Sequence, residues 1–290
     1  MREQDIELVA SYFTISGDVY PSAPSEVSPH ALQNRIEAAA RAGYKGIGLL
    51  LQDLQAAKNQ YGMSSIRYML DEHGMKHIHL EFLVDWYLGG KERVASDKYR
   101  HEILTAAQAL GAETVKVGPS IQETRQADVP RMADAFAGLC QDAAPYGVNI
   151  AFEFLPFSNV SQIDTALAIV EGANQPNGGL LLDIWHIKRG GMGFEEIRKV
   201  PLRFIKAVEV NDASSKPLPS LFEDSTHHRR LCGEGDLDVP AFLQAIQEAG
   251  YRGPYGVEVL SREFRQRPLE EMARESYDTT MQQFVKITER

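Results

Sequence analysis

The segment GGLLLDIWHIKRGG, residues 178–191, places a carboxylate and an imidazole directly behind three leucines. Leu180–Leu182 are typical of a buried strand, yet Asp183 interrupts the apolar run and His186 follows three positions later. A buried carboxylate costs free energy unless a partner compensates for the water that it loses, and a metal ion is one such partner. Beside a metal, His186 would be placed for a substrate hydrogen bond or a proton transfer.

Acidic side chains recur at the ends of four successive apolar segments. They are Glu153 in IAFEFLP, Asp183, Glu209 in AVEVND and Glu258 in YGVEVLS. Packed together without a cation, these charges would repel one another strongly in a low-dielectric interior. Sets of oxygen ligands suit hard cations. The four acids therefore predict a site for one divalent metal ion, with Mn²⁺ or Mg²⁺ favoured and Co²⁺ or Zn²⁺ as alternatives.

Further polar side chains end the other apolar segments. His79 and Glu81 lie in HIHLEF, and Lys116 lies in TVKVGP. We expect all three at the same edge as the acids, with Glu81 and Lys116 as substrate-binding candidates.

The segment 213–240 has neither a helical nor a strand pattern. Segments of this length inside a compact domain are usually lids or binding loops. This one contains His227, His228, Arg229 and Arg230. We expect Arg229 or Arg230 to contact a substrate oxygen.

The elements that must position these residues follow a recurring unit of amphipathic helix, glycine turn and apolar strand. In residues 28–51, Ser28 is expected to cap a helix, Pro29 to occupy its first turn and Gly43 to end it. Strands are predicted at about 6–13, 46–51, 76–83, 114–119, 149–155, 179–185, 205–211 and 255–260. Eight alternating units predict a closed (β/α)₈ TIM barrel, in which the carboxyl ends of all strands meet on the active-site face. The alternative, an open doubly wound sheet, usually carries a GxGxxG turn that is absent after the first strand here.

Composition narrows the class of protein. The 290 residues, predicted to form one domain over 1–290, carry a net charge of -10, which disfavours generic binding to nucleic acid or anionic membranes. No apolar run is long enough to cross a membrane. The start, MREQDIELVA, lacks the apolar core of a secretory signal. With Cys140 and Cys232 interpreted as free thiols, these features predict a cytoplasmic protein.

Five segments together resemble one known family. AFEFLPF, LLLDIWHIKRGG, IKAVEVNDA, HHRRLCGEGDLD and GYRGPYGVEVLS, in this order, resemble the xylose isomerase-like TIM-barrel sugar phosphate isomerases and epimerases. Inosose isomerases, ketose 3-epimerases and 3-dehydroshikimate dehydratases belong to that superfamily. The resemblance implies a divalent metal held by Glu153, Asp183 and Glu258. The fourth ligand of the family is commonly His and sometimes Gln, so Glu209 departs from the pattern and its role stays open.

The resemblance also implies a reaction. Proton abstraction beside a metal-bound carbonyl, with Glu153 and Glu258 as the acid–base pair, would give an enediolate intermediate. This predicts a divalent-metal-dependent isomerase or epimerase acting on a keto-sugar or keto-inositol, with His186, Arg229, Arg230, Glu81 and Lys116 around the substrate. One alternative is a lyase of the same fold, either a dehydratase or an enzyme that cleaves C–C or C-glycoside bonds of an oxidised sugar. Another is a non-catalytic sugar-binding barrel. A homo-oligomer and a small partner subunit are both compatible with the sequence.

Overall fold

The structure is a computed structural model that describes residues 5–288 of the chain. Its eight parallel strands close into a barrel in chain order, with the last strand paired to the first. The strands are β1 Leu8–Ala10, β2 Gly46–Leu50, β3 His77–Leu83, β4 Thr114–Val117, β5 Asn149–Glu153, β6 Gly178–Asp183, β7 Ile205–Val210 and β8 Tyr255–Val257. Seven of these strands lie within the predicted ranges, β6 begins one residue before its range, and the expected TIM barrel is confirmed. Residues 1–4 of the start MREQDIELVA lie outside the described residues.

Residues 5–288 form ten α-helices around the barrel and its ends. They are α1 Leu32–Ala42, α2 Leu51–Tyr61, α3 Met63–Glu72, α4 Gly90–Leu110, α5 Val129–Ala143, α6 Ile163–Ala173, α7 Ile184–Arg189, α8 Leu221–His227, α9 Val239–Glu248 and α10 Leu269–Thr288. None of these described helices combines the length and the apolar character needed to span a membrane.

The start of α1 differs from the prediction. Gly43 ends the helix in the left-handed conformation, at φ 114°, as expected, but the helix begins at Leu32 rather than at Pro29. The Ser28 hydroxyl donates to the carbonyl of Ser16 and accepts from the N–H of His30. The second bond joins the Ser28 side chain to the backbone two residues further along and closes a local turn. Such a turn competes with helix formation, so the chain is not helical up to Ala31.

The barrel interior has a small apolar layer below a charged one. Ala151, Leu181 and Ala207 form a buried cluster inside the barrel. Successive side chains of a strand alternate in direction, so the residues two positions further along each of these strands also face inward. Those residues are Glu153, Asp183 and Glu209. The inward acids therefore stand on a dry apolar floor, near the carboxyl ends of their strands.

The segment 213–240 is not structureless, contrary to the sequence interpretation. It contains α8, whose first turn is capped by the Ser220 hydroxyl accepting from the N–H of Glu223 at 3.2 Å. The segment also forms an antiparallel bridge between Asp212 and Arg230. A serine three positions before a glutamate is a recognised helix-start signal, which the sequence analysis overlooked.

The base of this segment is closed by one side chain. Asp212 is fully buried. Its carboxylate accepts from the backbone N–H groups of Ala213, Gly233 and Leu237 at 2.8–2.9 Å. Burial raises the pKa of Asp212, while these N–H donors oppose that rise. We call this set of bonds the Asp212 clamp, because it joins both ends of the segment to the end of β7.

Candidate active site

Four buried acids meet at the carboxyl end of the barrel. Glu153, Asp183, Glu209 and Glu258 each offer a carboxylate oxygen within 4.8 Å of the others. Strand register explains the grouping, since Asp183 is paired with Glu209 across β6 and β7. Glu258 directly follows β8. The acids that the sequence distributes over four strands thus form one cluster.

Asp183 is held by donors on both of its oxygens. Its Oδ1 caps α7 by accepting from the N–H groups of Trp185 at 2.5 Å and His186 at 3.3 Å. Its Oδ2 accepts from Asn211 Nδ2 at 3.1 Å and from Arg229 Nη1 at 2.8 Å. Four donors fix the Asp183 carboxylate. Judged by these contacts, Asp183 has the most firmly fixed orientation of the four acids.

Arg229 lies inside the acid cluster. Its Nη1 bridges Asp183 and Glu258, the latter at 2.9 Å, and its Nη2 donates to Ser225 Oγ at 3.0 Å. The guanidinium stacks over the Trp185 ring, 5.2 Å from the centroid. Burial would lower the pKa of Arg229, but Asp183 and Glu258 raise it above its ordinary value. The side chain therefore stays a cation.

Arg230 does not share this position, which corrects one substrate-binding expectation. Its side chain is exposed and donates to the carbonyl of Glu234 at 3.2 Å. The segment is extended where Arg230 pairs with Asp212, so neighbouring side chains point to opposite sides. Arg229 faces the acids and Arg230 faces solvent.

His186 stands beside Glu153. Its Nε2 lies 3.0 Å from Glu153 Oε1 and 3.4 Å from Arg229 Nη2. Burial lowers the pKa of His186 to about 4, so the ring is neutral at pH 7. A neutral imidazole can donate from one nitrogen and accept at the other.

A second buried network supports Glu209. Lys116 Nζ lies 2.9 Å from Glu81 Oε1 and also contacts Glu209 Oε1. The Ser11 hydroxyl donates to the same Glu209 oxygen. Burial alone would lower the pKa of Lys116, but Glu209 and Glu81 raise it well above its ordinary value. Glu81 and Lys116 thus reach the site as expected, although their charged atoms are already bonded to other protein groups.

Two glycines make room for this network. A Cβ on Gly256 would lie 2.8 Å from Glu209 Cγ, and a Cβ on Gly48 would lie 2.8 Å from the backbone nitrogen of Tyr12. Real Cβ contacts are essentially never this short. Glycine at these two inward positions is therefore what lets long acidic side chains lie across the barrel.

The charges of the site do not balance. Five buried acids, Glu81, Glu153, Asp183, Glu209 and Glu258, face two cations, Lys116 and Arg229, which leaves a formal charge of −3 when all are ionised. Burial and the neighbouring Glu209 raise the pKa values of Glu153 and Glu258 well above their ordinary range. An added divalent cation would favour the ionised forms.

Two carboxylate oxygens are suitably free for a cation. Glu153 Oε1 and Glu209 Oε2 are buried and accept no hydrogen bond of good geometry within the described part of the chain, although His186 Nε2 lies 3.0 Å from Glu153 Oε1. With Asp183 and Glu258 they form the oxygen-rich donor set that hard divalent cations prefer. These residues fit a divalent metal.

A cavity of about 330 Å³ opens above the acids. Its floor contains Glu81, Lys116, Glu153, His186, Arg229 and Glu258, and its walls are mainly apolar. Small-molecule sites typically measure about 300–1,000 Å³. The acids and the predicted substrate-binding side chains, apart from Arg230, therefore border or underlie one ligand-sized space.

Besides Arg230, the sequence analysis misplaced His79, and it missed two other residues of the site. His79 does not reach the acids, since its Nε2 lies 3.3 Å from Glu113, which precedes β4 at the opposite end of the barrel. Ser11 and Ser225, which bond Glu209 and Arg229, were not recognised. The sequence offered one sign for Ser11, a hydroxyl two positions after the inward-facing Val9. This sign is weak, because serine is also common at protein surfaces.

Comparison with known proteins identifies the family. Residues 36–283 match the family described as xylose isomerase-like TIM barrel. The chain belongs to this family. The match covers strands β2 to β8 and the whole acid cluster, so the family resemblance predicted from the sequence is confirmed.

The chain is similar to curated proteins that are named as an isomerase and a dehydratase. An inosose isomerase of Halalkalibacterium halodurans is 25% identical over 257 residues, which cover 85% of this chain and 89% of the relative. A 3-dehydroshikimate dehydratase of Pseudomonas aeruginosa is 29% identical over 241 residues, 82% of this chain but only 37% of that longer protein. Among solved structures, the IOLI protein with a binding zinc atom has a TM-score of 0.83 at 22% identity, covering 97% of this chain and 98% of the other. The relatives support a sugar isomerase, epimerase or lyase of this fold.

Proposed function

We propose that this chain is a divalent-metal-dependent isomerase or epimerase that acts on a keto-sugar or keto-inositol. The observation that carries the proposal is the cluster of four buried acids, two with a free oxygen, at the floor of a ligand-sized cavity. The names of the relatives, among them an L-ribulose 3-epimerase, support the same reaction class.

The metal would be held by Glu153, Asp183, Glu209 and Glu258, with Mn²⁺ or Mg²⁺ as the favoured ions. When bound, a divalent cation stabilises negative charge that develops on a substrate oxygen. Arg229 Nη2 and the neutral ring of His186 border the cavity and can orient the hydroxyl or carbonyl groups of a bound sugar. Exclusion of water by the apolar walls strengthens each of these interactions.

The proton steps belong to Glu153 and Glu258. Both carboxyl groups line the cavity, one from β5 and one from the end of β8. We propose that one removes the proton from a carbon next to the carbonyl, while the C–H electron pair delocalises onto the carbonyl oxygen as an enediolate. The other returns a proton to the opposite face of that carbon, which gives the epimer, or to the former carbonyl carbon, in which case the hydroxyl proton on the first carbon passes to the former carbonyl oxygen and gives the isomer. Atoms and electrons balance without an added oxidant.

Hydrogen exchange in D₂O tests this proposal. Metal-loaded protein is incubated with keto-inositols, ketohexoses and 3-keto-glycosides, and NMR follows deuterium entering beside the carbonyl. Glu153→Gln and Glu258→Gln, with metal content verified, should slow exchange by orders of magnitude. Glu248→Gln, an exposed acid on α9, is the matched control and should exchange at the wild-type rate.

The outcomes separate the competing functions. Exchange at the wild-type rate in both metal-loaded variants would rule these residues out as the bases. Loss of a hydroxyl or of another substituent from the substrate would indicate the lyase. Binding of a sugar without exchange would indicate a non-catalytic sugar-binding barrel.

A further inference from the structure

The upper part of the cavity is apolar on two sides. The first wall consists of Phe157 and Phe222, whose rings lie 5.6 Å apart at 87°. Phe157 also lies 6.4 Å from the His186 ring, so this wall adjoins the acid floor. The second wall consists of Phe13, Leu50 and Leu260, which belong to one buried cluster. We refer to these as the phenylalanine wall and the aliphatic wall.

Two polar side chains near the phenylalanine wall, Ser225 and Thr226, each make a hydrogen bond within the protein. The Ser225 hydroxyl accepts from Arg229 at 3.0 Å. The Thr226 hydroxyl donates to the carbonyl of Phe222 at 2.7 Å. A sugar hydroxyl placed at this height would lose water and gain few hydrogen bonds, which is unfavourable. The upper cavity therefore suits a group that carries no hydroxyls.

The cavity is equally unsuited to a phosphate. The only Lys or Arg side chains among its described lining residues are Lys116 and Arg229. Each contacts two carboxylates, Lys116 those of Glu81 and Glu209, and Arg229 those of Asp183 and Glu258. Glu26 adds a further acid to the lining. A phosphate dianion placed away from the acid floor would meet negative charge without an unpaired Lys or Arg side chain among the described lining residues.

From these contacts we propose that the substrate is an uncharged keto-sugar ring carrying an aromatic substituent. The inference rests on the proposed function and specifies its substrate class. The oxygens of the sugar ring lie over the acid floor, beside His186 and Arg229. The aromatic group lies between the two walls, where it extends the edge-to-face packing of Phe157 and Phe222.

A matched pair of substrates tests the proposal. Methyl and phenyl 3-keto-β-glucosides have the same reacting ring and differ only in the substituent. Metal-loaded wild-type protein should exchange deuterium into the phenyl compound with a kcat/KM roughly ten- to a hundredfold higher, the scale expected for burying one phenyl group. The 6-phosphate of the methyl compound should react at least about tenfold more slowly than its parent, on the scale of one unfavourable charge contact. Equal or better turnover of the methyl or phosphorylated compound would overturn the proposal.

Two variants of the phenylalanine wall test where the aromatic substituent lies. Phe157→Ala and Phe222→Ala should each lower kcat/KM for the phenyl compound by about tenfold, the scale expected for partial loss of one aromatic contact surface. Each should lower kcat/KM for the methyl compound by a smaller factor, because that compound lacks the ring that the phenylalanine wall contacts. Tyr68→Ala, which removes an exposed aromatic ring on α3, is the matched control and should change neither. A loss shared equally by both compounds, or no loss, would contradict the position assigned to the substituent.

Failure of the proposed function can be distinguished from failure of the aromatic-substituent proposal. If no keto-sugar exchanges deuterium with the wild-type protein, the acid–base chemistry is wrong. Calorimetric affinities of the methyl and phenyl compounds then test the walls separately. A tenfold or greater preference for phenyl, lost in Phe222→Ala, would still support the aromatic position, and equal affinities would reject it.

Discussion

Lys116→Met should strongly destabilise the protein, although Lys116 lies at the floor of the cavity and not in the apolar core. The lysine is almost completely buried and has two carboxylate partners, Glu81 and Glu209. Methionine has a similar length and fills the same space without a charge. The substitution therefore leaves two acids inside the barrel without their counter-charge, and packing changes little.

The expected size follows from the burial. Removing one partner of a buried ion pair typically costs about 3–5 kcal/mol, because the remaining charge is left uncompensated. The chain has 290 residues, and at about 2.1 cal/mol/K each the unfolding entropy is about 0.6 kcal/mol/K. A loss of about 4 kcal/mol then corresponds to a fall in Tm of about 7 °C.

Thermal unfolding of metal-free protein, followed by calorimetry and circular dichroism, measures this effect. Lys98→Met is the control, since Lys98 is exposed on α4 and its removal should change stability by less than about 0.5 kcal/mol. Combining Lys116→Met with Glu209→Gln should recover stability relative to Lys116→Met alone, by about 1–3 kcal/mol of coupling. A Tm for Lys116→Met within about 1 °C of wild type, on the scale used above, would refute the reasoning.

Three further outcomes are expected. Glu209→Gln should retain one metal ion per chain by elemental analysis, because a neutral amide oxygen can still ligate, whereas full occupancy in Asp183→Ala would contradict the ligand assignment. Glu113 and then Glu7 raise the pKa of His77 although burial opposes this, so its ion pairs stabilise the fold below about pH 6.5 and are lost as pH rises through the raised pKa. In urea unfolding, His77→Gln should therefore lose more stability at pH 5.5 than at pH 9, and an equal loss would count against it. Gly256→Ala should cost about 1–3 kcal/mol by displacing Glu209, and unchanged urea stability would show that the barrel adapts to a Cβ there.

The barrel and its acids were predictable because both depend on short-range patterns. Apolar runs separated by helices define the strands, and the period of two within a strand fixes which residues face inward. Once Ala151 and Leu181 are assigned to the interior, Glu153 and Asp183 must follow them there. The family resemblance identified the same positions independently.

The distinction between Arg229 and Arg230 could not be predicted in the same way. It depends on the bridge between Asp212 and Arg230, a pairing 18 positions apart that no local pattern encodes. The Glu209 environment is also non-local, since Ser11 and Lys116 reach it from β1 and β4. Likewise, the phenylalanine wall combines the loop after β5 with helix α8, which follows β7, and periodicity does not show that these two segments meet.

The Asp212 clamp has a consequence for how this protein can diversify. Two backbone contacts position Arg229. One is the bridge between Asp212 and the neighbouring Arg230, and the other is a hydrogen bond from the Arg229 N–H to the carbonyl of Leu260 at 3.0 Å. The stretch 215–220 lies beyond the clamp and is largely exposed. Lengthening such a stretch costs little, about 0.6 kcal/mol for each doubling of a flexible loop. Insertions there can therefore remodel what approaches the cavity while Arg229 and the acids stay in place, which gives evolution, or an engineer, a site for changing substrate range without rebuilding the chemistry.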